Sequence, residues 1–139
     1  MKKRNNILIY SFALIGVLLM LSISCKKDKD DPDPQVPVFT VIANTVQLQG
    51  GGEGLQFSAK CTNEDVKMTE VTNTSPISVK TFKYDLDGKS YAKNSSIPLQ
   101  DEDVAYFKEL GTWNFTFLGN RTSDNESFSV NATLPVTAK

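Results

Sequence analysis

From Val36 onward, hydrophobic residues in this 139-residue chain tend to recur at every second position. A period of two is the period of a β-strand, in which successive side chains point to opposite faces. Residues 55–61 show it most clearly, and residues 113–117 and 128–134 repeat it. The pattern predicts half-buried strands in antiparallel sheets, each with one buried and one solvated face. It also predicts that Cys61, in phase with Leu55 and Phe57, is a buried apolar residue.

About seven short strand-like segments follow one another between turn signals from position 36 to position 139. Segments of this length and spacing predict an all-β fold, an antiparallel β-sandwich with Greek-key connections. Within residues 66–73, Val66 and Met68 share one face while Val71 falls on the other. We therefore expect a β-bulge or a strand end near Glu70.

The dipeptide Asp87-Gly88 lies between two strand-like runs. Both central residues of a type I′ turn need positive φ, so the pair predicts a β-hairpin within residues 81–93. In that register Tyr84 faces Tyr91, and Leu86 faces Lys89. The spacing of Asp85, Asp87 and Gly88 also matches part of a calcium-binding loop, but the further oxygen ligands of such a loop are missing. A turn is the simpler interpretation, and no metal is expected.

Residues 101–110 are the only helical candidate. Three acids open the segment and Gly111 follows it, as the helix dipole and C-terminal capping favour. One short helical turn near 101–109 is therefore expected. A pair of these acids could in principle hydrolyse glycosides, but that chemistry needs two carboxylates held in a cleft. Their place at a solvated helix start explains the acids Asp101, Glu102 and Asp103 without catalysis.

The N-terminus has the organisation of a secretory signal peptide. Basic residues 2–4 precede an apolar run of 15 residues from Ile7 to Leu21, and small residues follow it. The run is shorter than the ~18–20 apolar residues of a membrane-spanning helix. An uncleaved single-span anchor is the alternative. We expect a signal peptide at residues 1–24.

The sequence Leu21-Ser22-Ile23-Ser24-Cys25 resembles the lipobox of bacterial lipoproteins. The resemblance implies lipid attachment to Cys25, cleavage before it and insertion of the lipid into a membrane. Residues 26–35 contain seven charges and two prolines. Such a segment buries little surface, so residues 25–35 are expected to be a lipidated cysteine and a flexible linker.

The Lys29-Asp30-Asp31 triplet is similar to the export signal of Bacteroidota surface lipoproteins. That resemblance implies a location on the outer membrane, exposed at the cell surface. The alternative for the same residues is a soluble spacer that contains no export signal.

Residues 109–115 resemble the start of strand F in immunoglobulin-like domains. An acid, a glycine, an aromatic residue and a core residue recur there at a spacing of two, at Glu109, Gly111, Trp113 and Phe115. Trp113 stands where a tyrosine is usual, and Phe115 where a cysteine is usual. The resemblance is closer to bacterial immunoglobulin-like or PKD-like modules than to antibody domains. It implies an immunoglobulin-like sandwich over residues 36–139.

The composition narrows the classes of function. The chain has no histidine, which excludes Ser-His-Asp and Cys-His nucleophiles and histidine-based proton transfer. Its net charge of −1 does not indicate the basic surface that nucleic-acid binding requires. We expect a non-catalytic protein without a cofactor, acting as a recognition or assembly module for a protein partner. A glycan-binding module of a polysaccharide-uptake system is the alternative.

Two sets of residues are candidates for ligand binding. Tyr84, Tyr91 and Tyr106 could form an outward aromatic platform for a glycan, although packing in the core or in a hairpin is the favoured explanation. The Gly119–Ser127 loop and the Gly50–Gly54 segment are the candidate contacts for a protein partner.

Overall fold

The computed structural model describes residues 35–138. The predictions for the signal peptide, Cys25 and most of the linker lie outside the described residues. Eight strands form the described part, one more than the seven or so expected. They are β1 (Phe39–Gln47), β2 (Glu53–Cys61), β3 (Val66–Thr74), β4 (Thr81–Tyr91), β5 (Ile97–Pro98), β6 (Tyr106–Phe107), β7 (Gly111–Arg121) and β8 (Ser127–Val136).

The strands form two antiparallel sheets, as the all-β sandwich prediction required. One sheet has the order β1-β2-β5, and β6 pairs with the same edge of β2 as β5 does. The other has the order β4-β3-β7-β8. The chain forms the β1–β2 hairpin in the first sheet and the β3–β4 hairpin in the second, returns to the first with β5 and β6, and ends with the β7–β8 hairpin in the second. This order is compatible with a Greek-key sandwich.

The core lies between the sheets and consists of the alternating residues that the sequence pattern singled out. Leu55, Phe57 and Ala59 of β2 are all buried, and Cys61 at the end of the strand is buried as a free thiol. Trp113, Phe115 and Phe117 of β7 face them and are also buried. Aromatic packing joins the two layers, as where the Phe39 ring stacks on Phe117 with centroids 4.2 Å apart. The prediction that Cys61 is a core residue is confirmed.

The irregularity predicted near Glu70 is a β-bulge. The register of β3 shifts between Met68 and Glu70 against both of its neighbours, β4 and β7. Against β7 the extra residue is Thr69, whose hydroxyl donates to the carbonyl of Leu118 at 3.0 Å; against β4 the extra residues belong to β4. The bulge turns Val66, Met68 and Val71 to the same buried side, although their spacing in the sequence is odd.

The hairpin predicted at Asp87-Gly88 is wrong. Residues 81–91 form one continuous strand that pairs with β3 along its length. Asp87 and Gly88 do have positive φ, 51° and 68°, but they lie in the bulge opposite Thr69. Tyr84 is therefore opposite Val71, and Tyr91 is opposite Val66, so the two tyrosines do not face each other.

The helical element predicted near 101–109 is reduced to one hydrogen-bonded turn. Val104 N donates to Asp101 O at 3.0 Å, and the chain then extends into β6. Across residues 35–138 no helix is long and apolar enough to cross a membrane.

The domain has two distinct ends. The chain enters at Gln35, whose carbonyl accepts a hydrogen bond from Arg121 Nη1, and the β2–β3 and β7–β8 turns lie at this entry end. The β1–β2 turn, the β3–β4 turn and residues 108–110 lie at the opposite end, which we call the far end. Strands of nine to eleven residues separate the two ends by about 30 Å at ~3.3 Å per residue.

Candidate functional site

Four large apolar side chains are exposed at the far end. The exposed fractions are 69% for Ile77, 70% for Val79, 67% for Phe107 and 47% for Leu110. Ile77 and Val79 are on the β3–β4 turn, and the other two flank Glu109, which contacts that turn. A cluster of this kind is informative because apolar groups exposed together mark an interaction surface more often than scattered ones do. We call these four residues the apolar tip.

The carboxylate of Glu109 holds the β3–β4 turn in place. It accepts hydrogen bonds from the backbone N–H groups of Ile77 and Ser78, at 2.8 and 3.0 Å, and from the Ser78 hydroxyl at 2.5 Å. These donors hold the pKa of Glu109 at about 2, with the Ser78 hydroxyl contributing most. The carboxylate is thus charged at neutral pH and serves as a cap for the turn. Its lowered pKa makes it a poor general base.

Trp113 links this cap to the core. Its indole Nε1 donates to the carbonyl of Glu109 at 3.1 Å, while its ring is 1% exposed. In immunoglobulin-like domains a tyrosine hydroxyl at this place bonds to the backbone a few residues upstream. Here the indole makes the corresponding bond, because it too combines a large apolar body with one polar donor.

The backbone of the turn is strained at Val79. Its φ is 53°, in the left-handed region that β-branched residues rarely adopt. Hydrogen bonds in both directions between Ser75 and Lys80 close the loop around it. Strain of this kind costs on the order of 1–3 kcal/mol and is concentrated at functional segments. The turn therefore holds Val79 outward in one defined conformation.

A shallow pocket of about 320 Å³ adjoins the apolar tip. It is lined by Glu53, Phe107, Lys108, Leu110 and Ala138, and Lys108 forms an ion pair with Glu53 at 2.5 Å. A Cβ added to Gly52 would lie 3.7 Å from the Phe107 ring, so the glycine turn passes close to that side chain. The predicted Gly50–Gly54 contact segment thus lies at this end. The predicted Gly119–Ser127 loop lies at the entry end.

The three tyrosines proposed as a platform do not form one exposed surface. Tyr91 is only 7% exposed, and its hydroxyl has no hydrogen-bond partner among residues 35–138. Tyr106 packs against Phe82, with ring centroids 4.3 Å apart, and closes the edge of the core. Tyr84 is half-buried, and burial together with the nearby Asp101 carboxylate raises its pKa. Core packing accounts for much of the surface of all three.

A polar groove lies beside Tyr91. It has a volume of about 440 Å³, and the amide, hydroxyl and carboxylate groups of Asn44, Gln56, Ser58 and Asp101 contribute to its wall. Groups of this kind could form hydrogen bonds to a sugar. Glu102, the second acid of the 101–103 run, also lines it, whereas Asp103 is exposed outside it.

The residues considered as calcium ligands have a local structural role. The Asp85 carboxylate accepts a hydrogen bond from the backbone N–H of Asp87 at 2.9 Å, which stabilises the bulge. Among the described residues, no group of three or more His, Cys, Asp or Glu side chains could hold a metal ion.

Sequence reasoning missed the apolar tip. Ile77 and Val79 stand in a connection next to Pro76 and Ser78, and aliphatic residues in such a turn were the available signal. No signal in the sequence indicated the role of Glu109, because the acid lies about thirty residues from the turn that it caps.

No protein-family model matches this chain, and no curated protein or solved structure matches it either.

Proposed function

We propose that this protein is a non-catalytic, lipid-anchored recognition module that binds a protein partner through the apolar tip. The observation that carries the proposal is the exposure of Ile77 and Val79 on a turn held in one conformation. A turn that is already ordered loses little conformational entropy on binding. The exposed apolar side chains can then be buried against a partner at a low cost in conformational entropy, and this favours a protein surface as the ligand.

The strain at Val79 supports the same proposal. A left-handed valine destabilises the free domain, while asparagine or glycine would fit the same φ with less strain. An exposed β-branched side chain in this conformation makes no contribution to the core. Its presence is explained if the side chain contacts a partner.

The lipid anchor is part of this proposal and rests on the lipobox-like sequence ending at Cys25. The chain enters the domain at Gln35, at the end opposite to the apolar tip. A charged linker of about ten residues would let the domain stand off the membrane, with the tip about 30 Å from the point of entry. We place the protein on the outer membrane, exposed at the cell surface.

The test is site-specific photo-crosslinking in the membranes of cells that make the full-length chain. A photoreactive residue at position 77 is expected to give a protein adduct of defined mass. The substitution Val79→Asn should weaken that adduct at least several-fold while leaving the fold intact, because asparagine tolerates positive φ. The matched control is Ile42→Thr on β1, an exposed aliphatic residue away from the tip, and it should leave the adduct unchanged.

Two results would contradict the proposal: no adduct from position 77, or an adduct insensitive to Val79→Asn. The polar groove favours glycan binding as the alternative. Calorimetric titration with soluble polysaccharides distinguishes the two functions, since Gln56→Ala, in the groove, should abolish glycan binding and leave the crosslink at position 77 intact.

A further inference from the structure

Strand β8 is a sheet edge to which, among the described residues, no strand is hydrogen-bonded on the outer side. It pairs with β7 along its whole length, without a register shift, and ends the order β4-β3-β7-β8. Its inward side chains are only half-buried, unlike those of β7. They are Phe128, Val130, Ala132, Leu134 and Val136.

The hydrogen-bond pattern shows which backbone groups of β8 are free. Arg121 N donates to Glu126 O at 2.9 Å, and these two residues are opposite each other when the β7–β8 register is extended by one pair. Bonded and non-bonded pairs alternate along an antiparallel ladder. The even-numbered residues of β8 therefore bond to β7, while the odd-numbered residues turn their N–H and C=O groups to the free edge.

Pro135 fits this assignment. It is odd-numbered, so its missing N–H falls on the free edge and costs no hydrogen bond to β7. Residues 127–136 also contain no charged side chain. The other edge of the same sheet is different, because β4 has both charged residues and a bulge, which protect an edge against pairing.

We propose that β8 pairs antiparallel with β8 of a second copy of this chain, around a two-fold axis at Asn131. This register places Ser129 opposite Thr133 and Ser127 opposite Pro135. Every free N–H from Ser127 to Thr133 then meets a carbonyl of the partner strand. On the inner face, Phe128 is opposite Leu134 and Val130 is opposite Ala132, so the half-buried side chains cover one another.

The self-complementary pattern of β8 is what selects a second copy as the occupant, because in this register the apolar inward residues of one copy oppose those of the other. A two-fold axis at Asn131 also places that residue beside its own copy, so a charge there would meet a like charge and destabilise the pair. β8 has no charged residue. The edge strand β1 of the other sheet is also uncharged but fits itself less well. Its inward face includes the exposed Thr45, whereas the inward residues of β8 are apolar along the whole strand.

Disulfide crosslinking of the full-length chain in cells tests the register. In the proposed dimer the two Asn131 Cα atoms are about 5.5 Å apart, within reach of a disulfide. Asn131→Cys should give a covalent dimer. Ser129→Cys is the matched control and should not, since the two copies of position 129 lie about 13 Å apart along the strands. Co-expression of Ser129→Cys with Thr133→Cys should restore the dimer.

A charge exchange tests the same pairing without cysteine. The full-length wild-type protein in detergent should have the mass of a dimer by light scattering. Asn131→Lys and Asn131→Glu should each be monomeric, and their equimolar mixture should be dimeric. Asn44→Lys on β1 should leave the dimer intact. A monomeric wild-type protein, an Asn131→Lys protein that stays dimeric, or equal crosslinking from positions 129 and 131 would each overturn the proposal.

Discussion

Two polar side chains complete hydrogen-bond patterns that the backbone leaves open. Glu109 caps the free N–H groups of the β3–β4 turn. Gln100 fills the gap between β5 and β6, where β2 lacks a neighbouring strand: its Oε1 accepts from Phe57 N at 3.1 Å, and its Nε2 donates to Leu55 O at 3.1 Å. Buried backbone groups need such partners, because an unpaired one costs free energy comparable to a lost hydrogen bond.

The Glu109 cap predicts a specific dependence of stability on pH. Its pKa is about 2 in the folded protein, against 4.5 when unperturbed, so the ionised form is the one that the fold stabilises. Its contribution is fully present above pH 4.5 and is lost as the pH falls toward 2. Glu109→Gln should lower the thermal midpoint at pH 7 and flatten its decrease between pH 4.5 and 2.

Thermal unfolding followed by circular dichroism across this pH range measures the effect. Glu102→Gln, at an exposed acid of the 101–103 run, is the control and should keep the wild-type slope. If Glu109→Gln has the same slope as the wild type, the carboxylate does not stabilise the turn.

At the scale of the strands, local pattern predicted some elements and misread others. β2, β7 and β8 were predictable because their alternation is regular and their partners lie close in sequence. Asp87-Gly88 correctly indicated positive φ, but a hairpin and a bulge both satisfy that requirement. Pairing with β3, which no local signal specifies, selects the bulge. The helical turn predicted near 101–109 is confined to residues 101–104 for a similar reason, since Gln100 and the β6 pairing tie this segment to β2.

The Gln100 contacts predict a large loss of stability on substitution. Gln100→Leu keeps most of the side-chain volume but leaves Phe57 N–H without a partner in the core and removes one of the donors to Leu55 C=O. An unpaired buried N–H costs about 1–3 kcal/mol, so the free energy of unfolding should fall by about that amount. Denaturant unfolding measures this change.

Gln56→Leu is the matched control for that experiment. Gln56 also donates to backbone carbonyls, those of Glu102 and Val104, but at an exposed position where water can replace it. Its loss should cost less than about 1 kcal/mol. If the two substitutions lower the free energy of unfolding equally, the Gln100 amide does not stabilise the domain across the gap between β5 and β6.

At the scale of the whole domain, the topology separates the chain entry from the apolar tip. The sequence indicated one contact segment at the same end as the tip, Gly50–Gly54, because consecutive glycines mark a turn without reference to tertiary structure. Ile77 and Val79 were not recognisable as a site, since their rigidity depends on Glu109 and therefore on the packing of β7 beside β3. Features that depend on distant contacts are those that local pattern cannot specify.

The proposed anchor gives a prediction for the full-length chain, which has cysteines only at positions 25 and 61. Cys25→Ala should remove the thiol to which lipid is attached, so the precursor should remain unprocessed and should not incorporate a palmitate analogue. Cys61→Ala is the control. Cys61 is 1% exposed in the core, where the substitution removes only a small group, so processing and labelling should continue. Labelling of the Cys25→Ala protein at the wild-type level would refute the lipid anchor.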